Sequence, residues 1–121
     1  MPRESNAEFN EKFRKRTFEF ALKILQYLER RKGQIPWVIH NQLSKSATSI
    51  GANFRAFCRG LSRNESYSKI CDVVEEADET VFWLELMHAG ELDSQTALQW
   101  FMAESLAILK VSASIKKGFE R

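Results

Sequence analysis

The chain has 121 residues, of which 44% are hydrophobic, and a formal net charge of +2. These values fit one domain, residues 1–121, built around a single core. No stretch approaches the roughly 20 consecutive apolar residues that a membrane span requires, and residues 1–15 lack the apolar segment of a secretory signal. We therefore expect a cytoplasmic protein with no membrane contact. Cys58 and Cys71 are too few for a disulfide framework and are expected to be reduced thiols in the core.

The starts of four helices are marked by residues that suit a first helical turn. Two capping boxes pair a serine hydroxyl with a glutamate three residues later. The pairs are Ser5 with Glu8 and Ser62 with Glu65. Pro36 fits the first turn of another helix, where its missing N–H is not needed, and Asp93 is the expected cap of the last helix.

Isolated glycines mark the ends of the same helices. A glycine just after a helix accommodates the positive φ that commonly ends it. The four glycines in such positions are Gly33, Gly60, Gly90 and Gly118. The predicted helices span residues 6–32, 36–59, 63–89 and 94–117. Because the connections are short, neighbouring helices should run antiparallel.

Each predicted helix carries a seam of core residues spaced alternately by three and four. The first two seams are Phe13, Thr17, Phe20, Ile24, Tyr27 and Ile39, Leu43, Ser46, Ile50, Asn53, Phe57. The last two are Tyr67, Ile70, Val74, Ala77, Val81, Leu84 and Leu98, Phe101, Ser105, Ile108, Ser112, Ile115. This repeat favours packing at about +20°, so we predict an all-α, antiparallel up-down-up-down four-helix bundle.

The helices contain more apolar residues than these seams require. The additional residues are Phe18, Leu22, Leu25, Leu28, Phe54, Phe82, Trp83, Leu86, Trp100, Met102, Leu106 and Leu109. They indicate either wide core faces or exposed patches, and exposed patches usually mark an interaction site. Of the two, we favour self-association into a homo-oligomer.

Charge is divided unevenly along the chain. Residues 1–69 contain 14 Lys and Arg against 6 Asp and Glu, whereas residues 70–121 contain 4 against 10. Arg55, Arg59 and Arg63 recur every four residues and are expected on one helical face, where they could meet phosphates. The full set of candidate nucleic-acid contacts is Arg14, Lys15, Arg16, Lys23, Arg30, Arg31, Lys32, Arg55, Arg59 and Arg63. The alternative is that these cations are solvated, or attract the acids of the third helix.

The residues give no support for catalysis. Glu85 and His88 form one Glu-x-x-His pair, the unit that di-iron bundles use twice. A second pair cannot be built, because His40, the other histidine, has Trp37 three residues before it. No nucleophile arrangement or glycine-rich phosphate loop is present. We therefore expect no enzymatic activity, no metal and no cofactor.

Small side chains dominate the middle of the second helix, residues 46–56. Gly51 costs about 1 kcal/mol relative to alanine in a helix interior, which predicts a close approach by another helix. Asn53 falls on the seam, where a buried amide should be hydrogen-bonded. A ligand contact is the alternative role for Asn53.

These residues also carry a family resemblance. The matching segments are 42–43, 49–55, 58–62, 74–80, 82–86 and 89–90. The chain resembles the bacterial four-helix bundle proteins encoded in intervening sequences of large-subunit (23S) ribosomal RNA genes, a family that includes the accessory variability determinant of diversity-generating retroelements. The resemblance covers about residues 10–115.

The resemblance implies a ring-shaped homopentamer without catalytic residues. Its retroelement member binds nucleic acid and a reverse transcriptase, although that member is more basic than this chain. The motif positions of structural importance are Ser49, Gly51, Asn53, Arg59 and Ser62. Two hypotheses follow: a non-catalytic accessory protein that binds RNA or DNA, or an oligomeric scaffold that binds another protein, such as a reverse transcriptase, without touching nucleic acid.

Overall fold

Four helices make up the regular structure of this protein, for which a computed structural model describes residues 4–120. Their bounds are α1 (Asn6–Arg30), α2 (Trp37–Cys58), α3 (Arg63–Ala89) and α4 (Gln95–Phe119). Each bound lies within two residues of the prediction. No strand occurs among residues 4–120, and the predicted all-α four-helix architecture is confirmed.

Serine side chains cap two helix starts as the sequence predicts. The backbone N–H of Glu8 donates to Ser5 Oγ at 3.1 Å, and the N–H of Glu65 donates to Ser62 Oγ at the same distance. Each bond satisfies one of the backbone donors that a helix start leaves without an intrahelical partner. The capping residues Ser5 and Ser62 are therefore confirmed.

The predicted cap of the last helix is wrong by one residue. Ser94 caps α4, accepting from the Ala97 N–H at 3.1 Å. Asp93 instead accepts a hydrogen bond from the Tyr27 hydroxyl at 2.5 Å. A tertiary partner on α1 has therefore taken the carboxylate that local sequence assigned to the helix end.

Of the four glycines expected at helix ends, Gly33 alone has a positive φ, at 80°, within residues 4–120. Gly60 follows the end of α2 without one, and α4 continues through Gly118. In the turn after α3 the positive φ, 54°, belongs to Glu91 and not to Gly90. The positions of the glycines thus predicted where most of the turns lie. They did not predict which residue in each turn has the positive φ.

The helices form two layers, α1 with α2 and α3 with α4. Helix α2 packs along α3, and the α1 and α4 backbones approach each other much less closely. At the α1–α2 contact, a Cβ added to Gly51 would lie 3.4 Å from the Thr17 carbonyl oxygen and 3.7 Å from the Phe18 nitrogen. The predicted close approach at Gly51 is therefore confirmed, and α1 is the helix that makes it.

The predicted core faces of α1 and α4 are confirmed apart from Ile115, which is half-buried. In α2 the core position belongs to Phe54, which is fully buried, while Asn53 is half-buried and its side-chain amide makes no hydrogen bond to a residue within 4–120. The expected burial and bonding of Asn53 are therefore wrong. The two residues are adjacent in the helix, and the Phe54 ring reaches the core while the Asn53 amide stays at its boundary.

Helix α3 also presents a different face from the one predicted. Val73 and Thr80 are buried where Val74 and Val81 were expected. The Thr80 hydroxyl lies 2.8 Å from the carbonyl oxygen of Glu76 and 2.9 Å from Ser46 Oγ on α2. These contacts satisfy the threonine, so a polar residue occupies the core without an unpaired group.

The cysteines differ from expectation in position. Both thiols are free, but Cys58 is exposed at the end of α2 and Cys71 is half-buried on α3. The expectation of core thiols is therefore wrong.

Candidate nucleic-acid interface

Five of the ten candidate cations contact carboxylates. The pairs are Arg14 with Glu11, Lys15 with Glu11, Arg16 with Glu104, Lys23 with Glu19 and Arg31 with Asp93. The Arg16–Glu104 pair is bidentate, at 2.7 and 2.8 Å, and joins α1 to α4. These side chains are partly neutralised within the protomer, so they are weaker candidates for phosphate contacts than the sequence suggested.

Arg55, Arg59 and Arg63 do not share one helical face, which corrects the prediction from their spacing. Helix α2 ends at Cys58, so Arg59 is its C-cap and Arg63 begins α3. The Arg63 guanidinium donates to the Phe119 carbonyl at 2.9 Å and lies 4.8 Å from the centre of the Phe119 ring. Arg63 thus fastens the start of α3 to the end of α4.

The remaining four candidate cations are exposed and form no ion pair within residues 4–120. They are Arg30, Lys32, Arg55 and Arg59. Arg55 and Arg14 line the same groove, whereas Arg30 lies roughly 24 Å farther along α1 at about 1.5 Å per residue. The structure therefore brings the candidates to two ends of the α1–α2 layer and does not unite them in one patch.

The acids of α3 are not paired with the cations of α2. Within residues 4–120, the only ion pair on this ridge is Lys69 with Asp72 at 4.0 Å. Burial, and then repulsion by neighbouring carboxylates including Glu79 and Glu75, raises the pKa of Glu76, although Lys45 partly opposes this. The cations of α2 and the acids of α3 are therefore both available to other partners.

An apolar groove runs along the outer side of the α1–α2 layer. It has a volume of about 320 Å³. Its lining consists of Arg14, Phe18, Ala21, Leu22, Leu25, Thr48, Gly51, Ala52 and Arg55. Phe18 is 65% exposed, and Leu22 and Leu25 are also exposed. The close contact at Gly51 makes the groove, because small α2 residues leave space beside the larger α1 side chains.

A second groove, of about 210 Å³, lies between α3 and α4 on the opposite layer. It is lined by Val81, Leu84, Glu85, Met102, Ala103, Ser105 and Leu106. The apolar side chains Phe82 and Leu86 on α3 are exposed as well, as is Trp100 on α4. Of the apolar residues additional to the seams, Phe82, Leu86 and Trp100 are therefore exposed, whereas Leu28 and Phe54 are buried in a widened core face.

The motif residues, which lie in α2 and in its connection to α3, have different structural roles. Ser62 caps α3 and Gly51 makes the close helix contact, while Ser49 is half-buried and Arg59 is exposed. Sequence reasoning overlooked Trp37, which is 72% exposed at the first position of α2. Its place outside the α2 seam was the signal that could have identified it.

The described residues can also be assessed for a metal site and for a membrane-spanning helix. Among residues 4–120, no three His, Cys, Asp or Glu side chains are grouped so that they could hold a metal ion. None of the four helices combines the length and apolar character needed to cross a membrane.

Comparison with known proteins places the chain in a family. No family model and no curated protein matches it. It is similar to a solved structure described as a protein with unknown function from the S23 ribosomal protein family, from Bacteroides thetaiotaomicron. The two are 31% identical, with a TM-score of 0.81, over 89% of this chain and 97% of the other. Identity of this level over nearly the whole of both chains shows that the protein belongs to the S23 ribosomal protein family.

Proposed function

We propose that this protein is a non-catalytic, cytoplasmic homo-oligomer that binds nucleic acid, as the resemblance to proteins encoded in ribosomal RNA intervening sequences implies. The observation that carries the proposal is the set of exposed cations on the α1–α2 layer, Arg30, Lys32, Arg55 and Arg59, which form no ion pair within residues 4–120. Such cations gain from phosphate contacts without requiring a particular base sequence.

The two grooves support self-association in a head-to-tail manner. The α1–α2 groove is apolar and flanked by Arg14 and Arg55, while the α3–α4 groove is apolar and contains Glu85. Because the grooves lie on opposite layers, the α1–α2 groove of one copy meets the α3–α4 groove of the next, and each end of such a pair keeps one groove free for a further copy. Such a contact closes into a ring when its rotation permits, and the family resemblance suggests five subunits.

Light scattering on single variants tests this assembly. Leu22→Asp in the α1–α2 groove and Leu106→Asp in the α3–α4 groove should each reduce the particle to a monomer. Mixing the two variants should restore a dimer, because each retains the face that the other has lost. Leu61→Asp is the matched control, since Leu61 is 94% exposed and lies outside both grooves. Oligomers of unchanged mass in both groove variants would exclude this mode of assembly.

Titration of a structured RNA at several salt concentrations tests nucleic-acid binding. Affinity should fall steeply with salt, and Arg59→Glu should weaken binding and flatten that dependence by about one charge per lost contact. Lys116→Glu on α4 is the control for a general change in net charge. Arg55 and Arg63 are left intact, because Arg55 lines the α1–α2 groove and Arg63 contacts Phe119. Equal affinity of the Arg59 variant and wild-type protein would contradict the proposal.

A protein-binding scaffold is the second candidate, favoured by the acidic ridge of α3. Asp72, Glu75, Glu76, Asp78 and Glu79 form a single ion pair within residues 4–120, and a basic partner such as a reverse transcriptase would complement them. A purified basic partner that remains bound after nuclease treatment, and is lost on Glu75→Lys with Glu79→Lys, would favour this function.

A further inference from the structure

Trp37 occupies an unusual position for the largest kind of side chain. It is 72% exposed, although burial of an aromatic side chain stabilises a folded protein considerably. It lies at the first position of α2, directly after Pro36. The proline ring restricts the backbone at this point, so the indole is presented from a defined site and not from a long loop.

The indole is supported on one side by His40. The two rings are stacked, with centroids 5.5 Å apart and planes inclined by 17°. Both ring nitrogens of His40 are inaccessible and make no hydrogen bond to any residue within 4–120. The imidazole therefore serves as a flat backing for Trp37, whose high exposure leaves its other face open to solvent.

Two exposed cations lie close to this stacked pair in the chain. Arg30 and Lys32, at the end of α1 and in the connection to α2, are exposed and form no ion pair within residues 4–120. Arg31 is directed to Asp93 instead. The acids at this end of the bundle are Glu29, near His40, and Glu91 and Asp93, near Arg31, while the first turn of α2 contains no carboxylate.

From this combination we infer that Trp37 and His40 form a stacking platform for an unpaired nucleobase, with Arg30 and Lys32 contacting the adjoining phosphates. This inference rests on the proposed function. An exposed ring next to cations suits single-stranded nucleic acid, since every base offers a flat face to an aromatic side chain. Paired bases are already stacked inside a duplex, so the platform would recognise single-stranded RNA or an RNA loop.

The test compares a labelled single-stranded oligouridine with a duplex RNA of the same length, by fluorescence anisotropy. Trp37→Ala should weaken binding of the single strand about tenfold or more, whereas Trp37→Phe should retain most of it. Duplex binding should be unchanged in both. Val38→Ala is the matched control, because Val38 is the next residue and is 56% exposed.

The outcomes separate this inference from the proposed function. If Trp37→Ala binds the single strand as tightly as Val38→Ala, or weakens duplex binding equally, the platform is excluded, while dependence on Arg59 still supports nucleic-acid binding. If the wild-type protein binds neither RNA, the proposed function fails and the platform fails with it. Circular dichroism on each variant verifies that the helices are intact.

Discussion

Against α2, helix α1 lies close enough for its backbone to contact Gly51, whereas against α4 it is held away by large rings. Phe20 on α1 packs on Trp100 and Phe101 of α4, with centroids 6.1 and 6.4 Å apart. At the α1–α2 contact, Gly51 has no side chain, and an apolar groove lies on the outer surface there. Between α1 and α4, aromatic rings occupy the space between the helices. Helix α1 therefore contributes both to the core and to a candidate docking surface.

At the ends of the α1–α4 side, polar contacts supplement the rings. Arg16 and Glu104 form the bidentate pair, and Tyr27 donates to Asp93. Arg31 Nε lies 3.2 Å from the same carboxylate without the alignment of a hydrogen bond, so this contact is ionic. The α1–α2 contact at Gly51 has no ion pair of this kind between its helices among residues 4–120. The two sides should therefore respond differently to changes in volume and in pH.

Removing a ring should have the largest effect. Phe20→Ala should lower the free energy of unfolding by about 3–5 kcal/mol, because the ring is fully buried and its loss leaves a cavity between α1 and α4. Urea denaturation measures the change. Phe20→Leu is the control and should cost less than Phe20→Ala, because it removes fewer buried atoms and leaves a smaller cavity. A loss below about 1 kcal/mol for the alanine variant would show that the rings do not determine the α1–α4 spacing.

Enlarging Gly51 should have an intermediate effect. Gly51→Leu should lower the free energy of unfolding by about 1–3 kcal/mol, because the added side chain must displace the α1 backbone. Gly51→Ala should be neutral or should stabilise by up to about 1 kcal/mol, since a Cβ meets Thr17 at 3.4 Å, an ordinary contact distance, and alanine favours the helix. Thermal denaturation of both variants measures the contrast, and equal stability would contradict the close approach.

The pH dependence of the Asp93 contacts should be the smallest effect. Burial raises the pKa of Asp93, but hydrogen bonds from Tyr27 and the Ser94 N–H, with the charge of Arg31, outweigh it and hold the pKa below its ordinary value. A lowered pKa in the folded state adds stability above the unfolded pKa of about 3.9, and that stability is lost as pH falls through the folded pKa.

Asp93→Asn should therefore destabilise the protein near pH 7 by less than Gly51→Leu does, and the difference from wild type should vanish at low pH. Denaturation curves collected from pH 2 to pH 7 measure this. Glu29→Gln provides the control, because Glu29 is exposed and forms no ion pair within residues 4–120. A stability difference for Asp93→Asn that stays constant across this range would be inconsistent with the lowered pKa.

Local signals were sufficient for the helices but not for every residue at their boundaries. Ser5 and Ser62 act within their own first turns, so their roles could be predicted from neighbouring residues. Asp93 has the same local suitability, yet the Tyr27 hydroxyl of a distant helix binds its carboxylate. The spacing of Arg55, Arg59 and Arg63 suggested one helical face only because it disregarded the helix boundary that Gly60 and Ser62 mark between Arg59 and Arg63.

The sequence by itself determined four amphipathic helices, their antiparallel order and the excess of apolar side chains, because periodicity, capping and short connections act over a few residues. The tertiary structure decided which side of each helix the excess occupies, that Phe54 and not Asn53 is buried, and which cations are neutralised by carboxylates of other helices. These outcomes depend on distances between residues far apart in the chain. For that reason the grooves and the open face of Trp37 became visible only once the helices were packed.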